Sequence, residues 1–328
     1  MEDQPSSTET ETPAIVTFGE TMLRLSPPRG RRLEAAETLD FRTAGAESNT
    51  AIAASNLGCE TAWLSKLPKS PLGRRVSRDI KANGVAPLIT WDKTNRQGVY
   101  FLEHGSTPRG TNVIYDRSDA AITTAKPDEL HTESIETASI FYVTGITPAL
   151  SDQLRETTVE LLTRALDAGT TTAFDLNYRS KLWSPDEARK TYERLFESID
   201  VLFVPARDAR TVLEIDGSPV EIATQLKETY GCELVVVTNG AEGSIAADRT
   251  EVYEQQAYEV DTVDPIGTGD AFVGGFLTRW LESDDVESAL NYAAATASLK
   301  RTIEGDLAIL TRQEVEDVIA SGSNGISR

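Results

Sequence analysis

Short apolar runs alternate with helical periodicities along most of this 328-residue chain. Ala14 to Phe18 reads as a buried strand, and Thr21 to Ser26 alternates apolar with polar before Pro27-Pro28-Arg29-Gly30 turns the chain toward a second extended piece at Leu39 to Arg42. These two pieces predict a hairpin. Ala51 to Leu57 follows as a small-residue helix, then a strand at Thr61 to Lys66 and a helix at Leu72 to Ala82. Gly98 to Glu103 and Thr111 to Arg117, parted by a Gly- and Pro-rich loop, predict a second hairpin. Beyond them the βα alternation resumes. Strands are predicted at Ser139–Thr144, Thr171–Asp175, Val201–Val204 and Leu234–Thr238. Helices are predicted at 152–167, with Leu154, Leu161, Leu162 and Leu166 as its apolar stripe, from Pro185 to about Ser198, at Ala206–Leu213 and at Pro219–Tyr230. Such alternation predicts a doubly wound α/β sheet, with ligands at the carboxyl ends of its strands. Asp175, Asn177, Arg179, Asn239 and Asp270 all follow strands or open a helix, so one crevice can hold them.

The chemistry concentrates at Val263-Asp264-Pro265-Ile266-Gly267-Thr268-Gly269-Asp270-Ala271-Phe272. Ala271, Phe272, Val273, Phe276, Leu277, Trp280 and Leu281 have helical spacing, which puts Asp270 in the first turn and the glycines just ahead of it. Backbone amides freed of Cβ obstruction, together with the positive end of the helix, make an anion site. A carboxylate inside an anion site is repelled by phosphate unless it serves a purpose, such as taking the proton from an attacking hydroxyl. That combination is the machinery of phosphoryl transfer. Taken alone, the segment fits an ordinary capped loop equally well.

The segment resembles the Asp-Thr-x-Gly-Ala-Gly-Asp signature of the ribokinase-like (PfkB) carbohydrate kinases, with Pro265 and Thr268 as departures. The resemblance implies a ribokinase-like doubly wound, mostly parallel sheet flanked by helices, with a small β-sheet lid formed by about 20–43 and 96–120. It implies Asp270 as catalytic base and the amides of Gly267, Thr268 and Gly269 as anion hole. Ala44-Gly45-Ala46-Glu47-Ser48-Asn49 is similar to the family's sugar-binding Gly-Gly-x-x-x-Asn, although small residues there also serve tight helix packing. Gly19-Glu20-Thr21-Met22, Tyr100 with Tyr115-x-Arg117, and Asp175-Leu-Asn177-Tyr-Arg179 look like the 2-keto-3-deoxygluconate kinase branch. In that branch the counterparts of Gly45, Tyr100, Tyr115, Arg117, Ile146 and Arg179 line a sugar-acid pocket, and Asn49 joins them from the sugar motif. Paired Arg forks suit a carboxylate, while any single Arg more often makes a surface ion pair. For ATP, Thr238-Asn239-Gly240-Ala241-Glu242-Gly243 resembles the family's nucleotide segment, with Asn177 beside it. Asn291 with Ala294 and Ala295 offers room for adenine, although a packing helix explains those alanines as well. Many relatives carry Asn-x-x-Glu for magnesium-bound water where Pro205 and Asp208 stand here, so Mg2+ is expected on the ATP phosphates and the protein's metal ligands stay open.

The expected reaction is ATP-dependent phosphorylation of the terminal hydroxyl of 2-keto-3-deoxygluconate. A kinase for a neutral sugar, of fructokinase or ribokinase type, is the near rival. An NAD-dependent oxidoreductase fits less well, because the glycine turn lies near the C-terminus and lacks the third small residue of a dinucleotide fingerprint.

Composition narrows the partners. Asp and Glu number 52 against 32 Lys and Arg, a net charge of −20, so nucleic acid and anionic membranes are disfavoured. A diffuse acidic surface poor in Lys fits work in concentrated salt, where screening removes self-repulsion. Two cysteines, Cys59 and Cys232, argue against a disulfide framework and for a cytoplasmic setting. Residues 1–12 read as an acidic, disordered tail with no apolar run for an anchor. The family resemblance also implies a homo-oligomer through the lid.

Overall fold

The computed structural model describes residues 12–324; apart from Thr12, the acidic tail expected over residues 1–12 lies outside the described residues. The strands are β1 (Ile15–Phe18), β2 (Met22–Ser26), β3 (Asp40–Ala44), β4 (Thr61–Pro68), β5 (Ala86–Asp92), β6 (Val99–Glu103) and β7 (Asn112–Asp116) in the first half. The second half adds β8 (Ile140–Thr144), β9 (Thr171–Asp175), β10 (Val201–Pro205), β11 (Leu234–Thr238), β12 (Ser244–Ala247) and β13 (Val252–Gln255). Among the described residues one sheet runs β13-β12-β11-β10-β9-β8-β1-β4-β5. It is parallel from β11 to β5, and β12 and β13 add to one edge antiparallel. The central strands are covered on both faces, so they read as unbroken apolar runs such as Leu-Val-Val-Val in β11.

The two faces carry separate cores. Val16, Phe18, Phe141, Val143 and Phe174 pack with Leu154, Leu161, Leu162, Tyr192 and Leu226 from the helices Asp152–Ala168, Pro185–Phe196 and Pro219–Tyr230. Ile15, Ile140, Tyr142 and Phe203 turn the other way, onto Phe272, Phe276 and Leu290 from the helices Thr268–Ser283 and Val286–Arg301. Alternate residues of one strand face opposite layers, which is the sheet's period of two made visible. The helices opened by Pro185 and Pro219 begin as the sequence predicts. Ser184 and Ser218 accept from the amides of Glu187 and Glu221, whose carboxylates return the bond.

Some predicted details change. The stripe of the Asp152–Ala168 helix takes Ala165, and Leu166 is exposed, because it falls one position off the buried row. The helix predicted at Ala51 starts at Ala46 instead. Nearly every side of that first turn is buried, including Glu47, Ser48 and Asn49, so no polar face marked its beginning.

A second sheet stands apart, in the order β3-β2-β6-β7. It joins the two predicted hairpins, β2 with β3 and β6 with β7, through parallel pairing of β2 with β6. The register places Arg24 beside Tyr100 and Tyr100 beside Tyr115, one row on one face.

In the main sheet the chain leaves β1 for β4 and β5 on one side, then returns to pair β8 on the other. The carboxyl ends of β1 and β8 therefore flank a topological switch point, where open α/β sheets leave a crevice.

Candidate active site

The crevice is a cavity of about 490 Å3, roofed by Met22, Tyr100, Leu102, Val113 and Tyr115 of the small sheet. Its floor comes from strand ends: Glu20 after β1, Ile146 after β8, Asp175 at the end of β9 with Asn177 and Arg179 beyond it, and Pro205 of β10. Gly45, Asn49 and the whole turn Pro265 to Asp270 complete it. Every sugar-side residue predicted from the sequence thus meets in one place: Gly45, Asn49, Tyr100, Tyr115, Arg117, Ile146 and Arg179. A second cavity of about 200 Å3 adjoins it, lined by Gly240, Gly243, Tyr258, Ala294, Ala297 and Ser298. Thr238, Thr268, Gly269 and Phe272 line both. The glycine turn is the wall between the two chambers.

Three residues expected on the nucleotide side line neither cavity. Asn239 lines neither cavity; its amide donates to Glu242 and its N–H to Gly243 O at 2.8 Å, so it closes its own turn. Asn291 stands behind the wall, where its Oδ1 accepts from the Tyr258 hydroxyl at 2.6 Å while Tyr258 itself faces the cavity. Ala295 belongs to the buried core, and only Ala294 of the expected alanine pair reaches the chamber. Asn177 lies in the first cavity beside Asp175, whose Oδ1 accepts from the Asn177 backbone N–H at 3.1 Å.

Gly267 caps the Thr268–Ser283 helix with φ +79°, a conformation L side chains rarely adopt. A Cβ there would also overlap the backbone carbonyl of Asp306, which has little room to retreat. Gly267→Ala is therefore expected to cost roughly 1–3 kcal/mol of stability and to lower kcat by up to about 100-fold through the displaced amides. Thermal unfolding and steady-state turnover of the variant check both.

Asp270, third residue of that helix, is half-buried, and its Oδ2 accepts from Asn49 Nδ2 at 2.7 Å. Asn49 in turn accepts from Gly45 N at 3.4 Å, so both ends of its amide are committed. It aims the carboxylate as well as lining the pocket. Burial pushes the Asp270 carboxyl up to about 7, against the opposing pull of Asn49 and Arg179. Burial, with the like charges of Asp208 and Asp270 behind it, pushes Asp175 up to about 8. Glu47 is raised by burial too, though Thr144 and Thr147 donate hydroxyls to its Oε1 at 2.8 and 2.7 Å.

Asp175 has a consequence for stability. Its folded pKa stands above the unfolded value, so the folded state holds the extra proton, and stability falls as pH rises from about 4 to about 8. Asp175→Asn keeps an acceptor for the Asn177 amide but carries no charge. Its melting temperature is expected to decline less between pH 5 and pH 9, with a gain over wild type on the order of 5 kcal/mol at pH 9. Melting curves of both proteins across that range check it.

Arg117 pairs with the Glu20 carboxylate, and its guanidinium lies 5.3 Å from the Tyr115 ring centroid. Arg179 Nη1 donates to Tyr178 O at 3.2 Å. Arg24, fully buried, pairs with Asp306, which also accepts from the Tyr100 hydroxyl at 3.2 Å. Asp306 lines the first cavity. Arg24 and Asp306 are 282 residues apart, so no local pattern could have joined them.

Magnesium is the one metal in question, and the donor set is meagre. Among the described residues no three His, Cys, Asp or Glu side chains gather as a metal cage. Asp208 is buried, accepting from Tyr178 N at 3.1 Å and from Arg207 Nε at 3.0 Å. The residues present fit a metal carried in on phosphate oxygens and water.

Comparison with known proteins matches residues 12–311 to the pfkB family carbohydrate kinase model. The 2-dehydro-3-deoxygalactonokinase of Haloferax volcanii is 60% identical over 317 residues, 97% of this chain and 100% of that protein. The 2-dehydro-3-deoxygluconokinase of Thermoproteus tenax is 28% identical over 93% of this chain and 94% of its own. The crystal structure of 2-dehydro-3-deoxygluconokinase from Thermotoga maritima superposes with a TM-score of 0.88 at 32% identity, covering 93% of this chain and 98% of that one.

Proposed function

Because the chain belongs to the pfkB family of carbohydrate kinases, we propose that it transfers the γ-phosphoryl of ATP to the terminal hydroxyl of a 2-keto-3-deoxy sugar acid. The observation that carries this reading is the glycine turn standing between two cavities, with Asp270 at its end. The sugar acid lies under the small sheet, which acts as a lid, its carboxylate held by Arg117 and Arg179. Its terminal hydroxyl meets Asp270, which takes the proton as the oxygen attacks. The amides of Gly267 to Asp270 hold the transferring phosphoryl, and lid closure excludes water that would otherwise hydrolyse ATP. Gly240 and Gly243 flank the nucleotide in the second chamber. Magnesium bound to ATP neutralises phosphate charge.

The preferred epimer on this reading is the galactonate, since that is the named substrate type of the 60% identical relative. This departs from the gluconate expected from the sequence motifs, which remains the second reading on the likeness to the Thermotoga maritima enzyme. We place the enzyme in the cytoplasm of a cell rich in salt, given its net charge of −20 and a relative from Haloferax volcanii. No described helix is long and apolar enough to cross a membrane. Pairing of two lid sheets is the proposed route to a homo-oligomer, supported by the exposed Ile114 on edge strand β7. The deciding experiment is an ATP-dependent assay in high salt across the galactonate and gluconate keto-deoxy acids, fructose and ribose. Greater kcat/KM for fructose or ribose than for both acids rejects the proposal.

A further inference from the structure

Lys300 is fully buried, a rare fate for a lysine, and the transfer scheme gives it no part. It stands in the last turn of the Val286–Arg301 helix, where its Nζ donates to Asp264 O at 3.2 Å and to Ile303 O at 3.1 Å. Asp264 opens the phosphoryl turn. Its Oδ1 accepts from Ile266 N and its Oδ2 from Gly305 N, both at 3.1 Å, and its own N–H donates to Arg301 O at 3.1 Å. The ammonium therefore ties the 264–270 turn to the helix-following segment 302–306, whose Asp306 backbone backs directly onto Gly267.

A methionine of similar length would fill this space without the cost of burying a charge, which runs to several kcal/mol for an ion removed from water. The ammonium's direct partners among the described residues are carbonyl oxygens. Burial lowers the pKa of the ammonium and Arg24 adds to that, while the carboxylates of Asp264, Asp306 and Asp270 favour its charged form. Arg29 also reaches Asp264 Oδ2 at 3.3 Å, but from an exposed position. A buried cation behind an anion site, in a medium where charge is poorly screened, acts on whatever charge builds up in front of it.

We propose that Lys300 is a positioning residue for phosphoryl transfer, a tethered cation that locks the glycine turn against the 302–306 segment and keeps positive potential behind the anion site. The inference rests on the kinase reading of that turn and not on which sugar is used.

The test compares Lys300→Met, of similar length and uncharged, with Lys300→Gln, which keeps a donor for one carbonyl and drops the charge. Both are expected to lower kcat by about 10- to 100-fold while KM for the acceptor sugar moves less than about threefold. The additional thermal shift that MgATP gives over MgADP in wild type is expected to shrink with them. In Lys300→Ala, ammonium at constant ionic strength should restore part of kcat, where tetramethylammonium is too large to enter. Wild-type kcat in Lys300→Gln, or a loss that only follows the folded fraction, overturns the proposal. If Lys300→Met does not fold, Lys300→Gln carries the comparison. If wild type turns over neither keto-deoxy acid, the substrate reading fails and the ATP-over-ADP shift decides alone: retained in Lys300→Gln it rejects the role of Lys300, lost it supports it.

Discussion

Asp270→Asn is expected to lower kcat by about 10^3-fold or more while ATP still binds, because general-base help is worth about 10^2- to 10^4-fold and the amide also loses the negative charge facing the hydroxyl. Asn49 can still bond the new amide after it flips, so the fold should hold and the loss should be chemical. The wild-type pH profile is the companion measurement. With the Asp270 carboxyl raised to about 7, its proton occupies the base below that pH. The kcat/KM should then fall about tenfold per unit on the acid side, and the ascending limb should vanish in the variant. Calorimetric ATP titration alongside turnover separates binding from chemistry. A variant with undiminished turnover removes Asp270 from the mechanism.

Arg179→Ala is expected to cut kcat/KM for the keto-deoxy acid by roughly 10- to 100-fold, since a charge-assisted hydrogen bond is worth about 1.5–3 kcal/mol. Activity on fructose, which has no carboxylate, should change little, so the ratio between acid and neutral sugar is the informative number. Arg117→Ala should act in the same direction with an added penalty. Its removal strands Glu20, only 5% exposed, without its cation. A fall in melting temperature for Arg117→Ala beyond that of Arg179→Ala would report that difference. An Arg179→Ala enzyme that keeps its acid selectivity would place the carboxylate elsewhere.

Much of this architecture could be read from the residues, and what escaped did so for physical reasons. Parallel central strands announce themselves as short apolar runs, and Ser-Pro-x-Glu boxes fix the start of two helices to the residue. Glycine turns carry backbone requirements in their composition, so Gly267 to Gly269 are legible as a ligand turn from the residues themselves, while Gly240 and Gly243 are legible through the family resemblance; all line the cavities. The helix at Ala46 hid its start because a fully buried helix has no polar face to set the phase. Strand β5 contains Pro87 and sits at the sheet edge with mixed exposure, so neither periodicity stands out. Asn291 and Asn239 bond to Tyr258 and Glu242, since an amide side chain beside a pocket satisfies a neighbour as readily as a ligand. Asp306, Glu20 and Lys300 act through partners far away in the chain, a relation that no local spacing encodes.

The buried union of Arg24 with Asp306 bears on how the protein is made. A ribosome releases both hairpins within the first half of the chain, and the apolar underside of their sheet must wait through most of translation for the segment that supplies Asp306. Until that late segment arrives, Arg24 has no carboxylate to receive it, and the unfinished roof is a surface for chaperones to shield. Synthesis that stalls after β11 should therefore yield a polypeptide prone to clumping and blind to nucleotide, because the helix proposed to hold phosphate and the anchor of the roof both lie downstream.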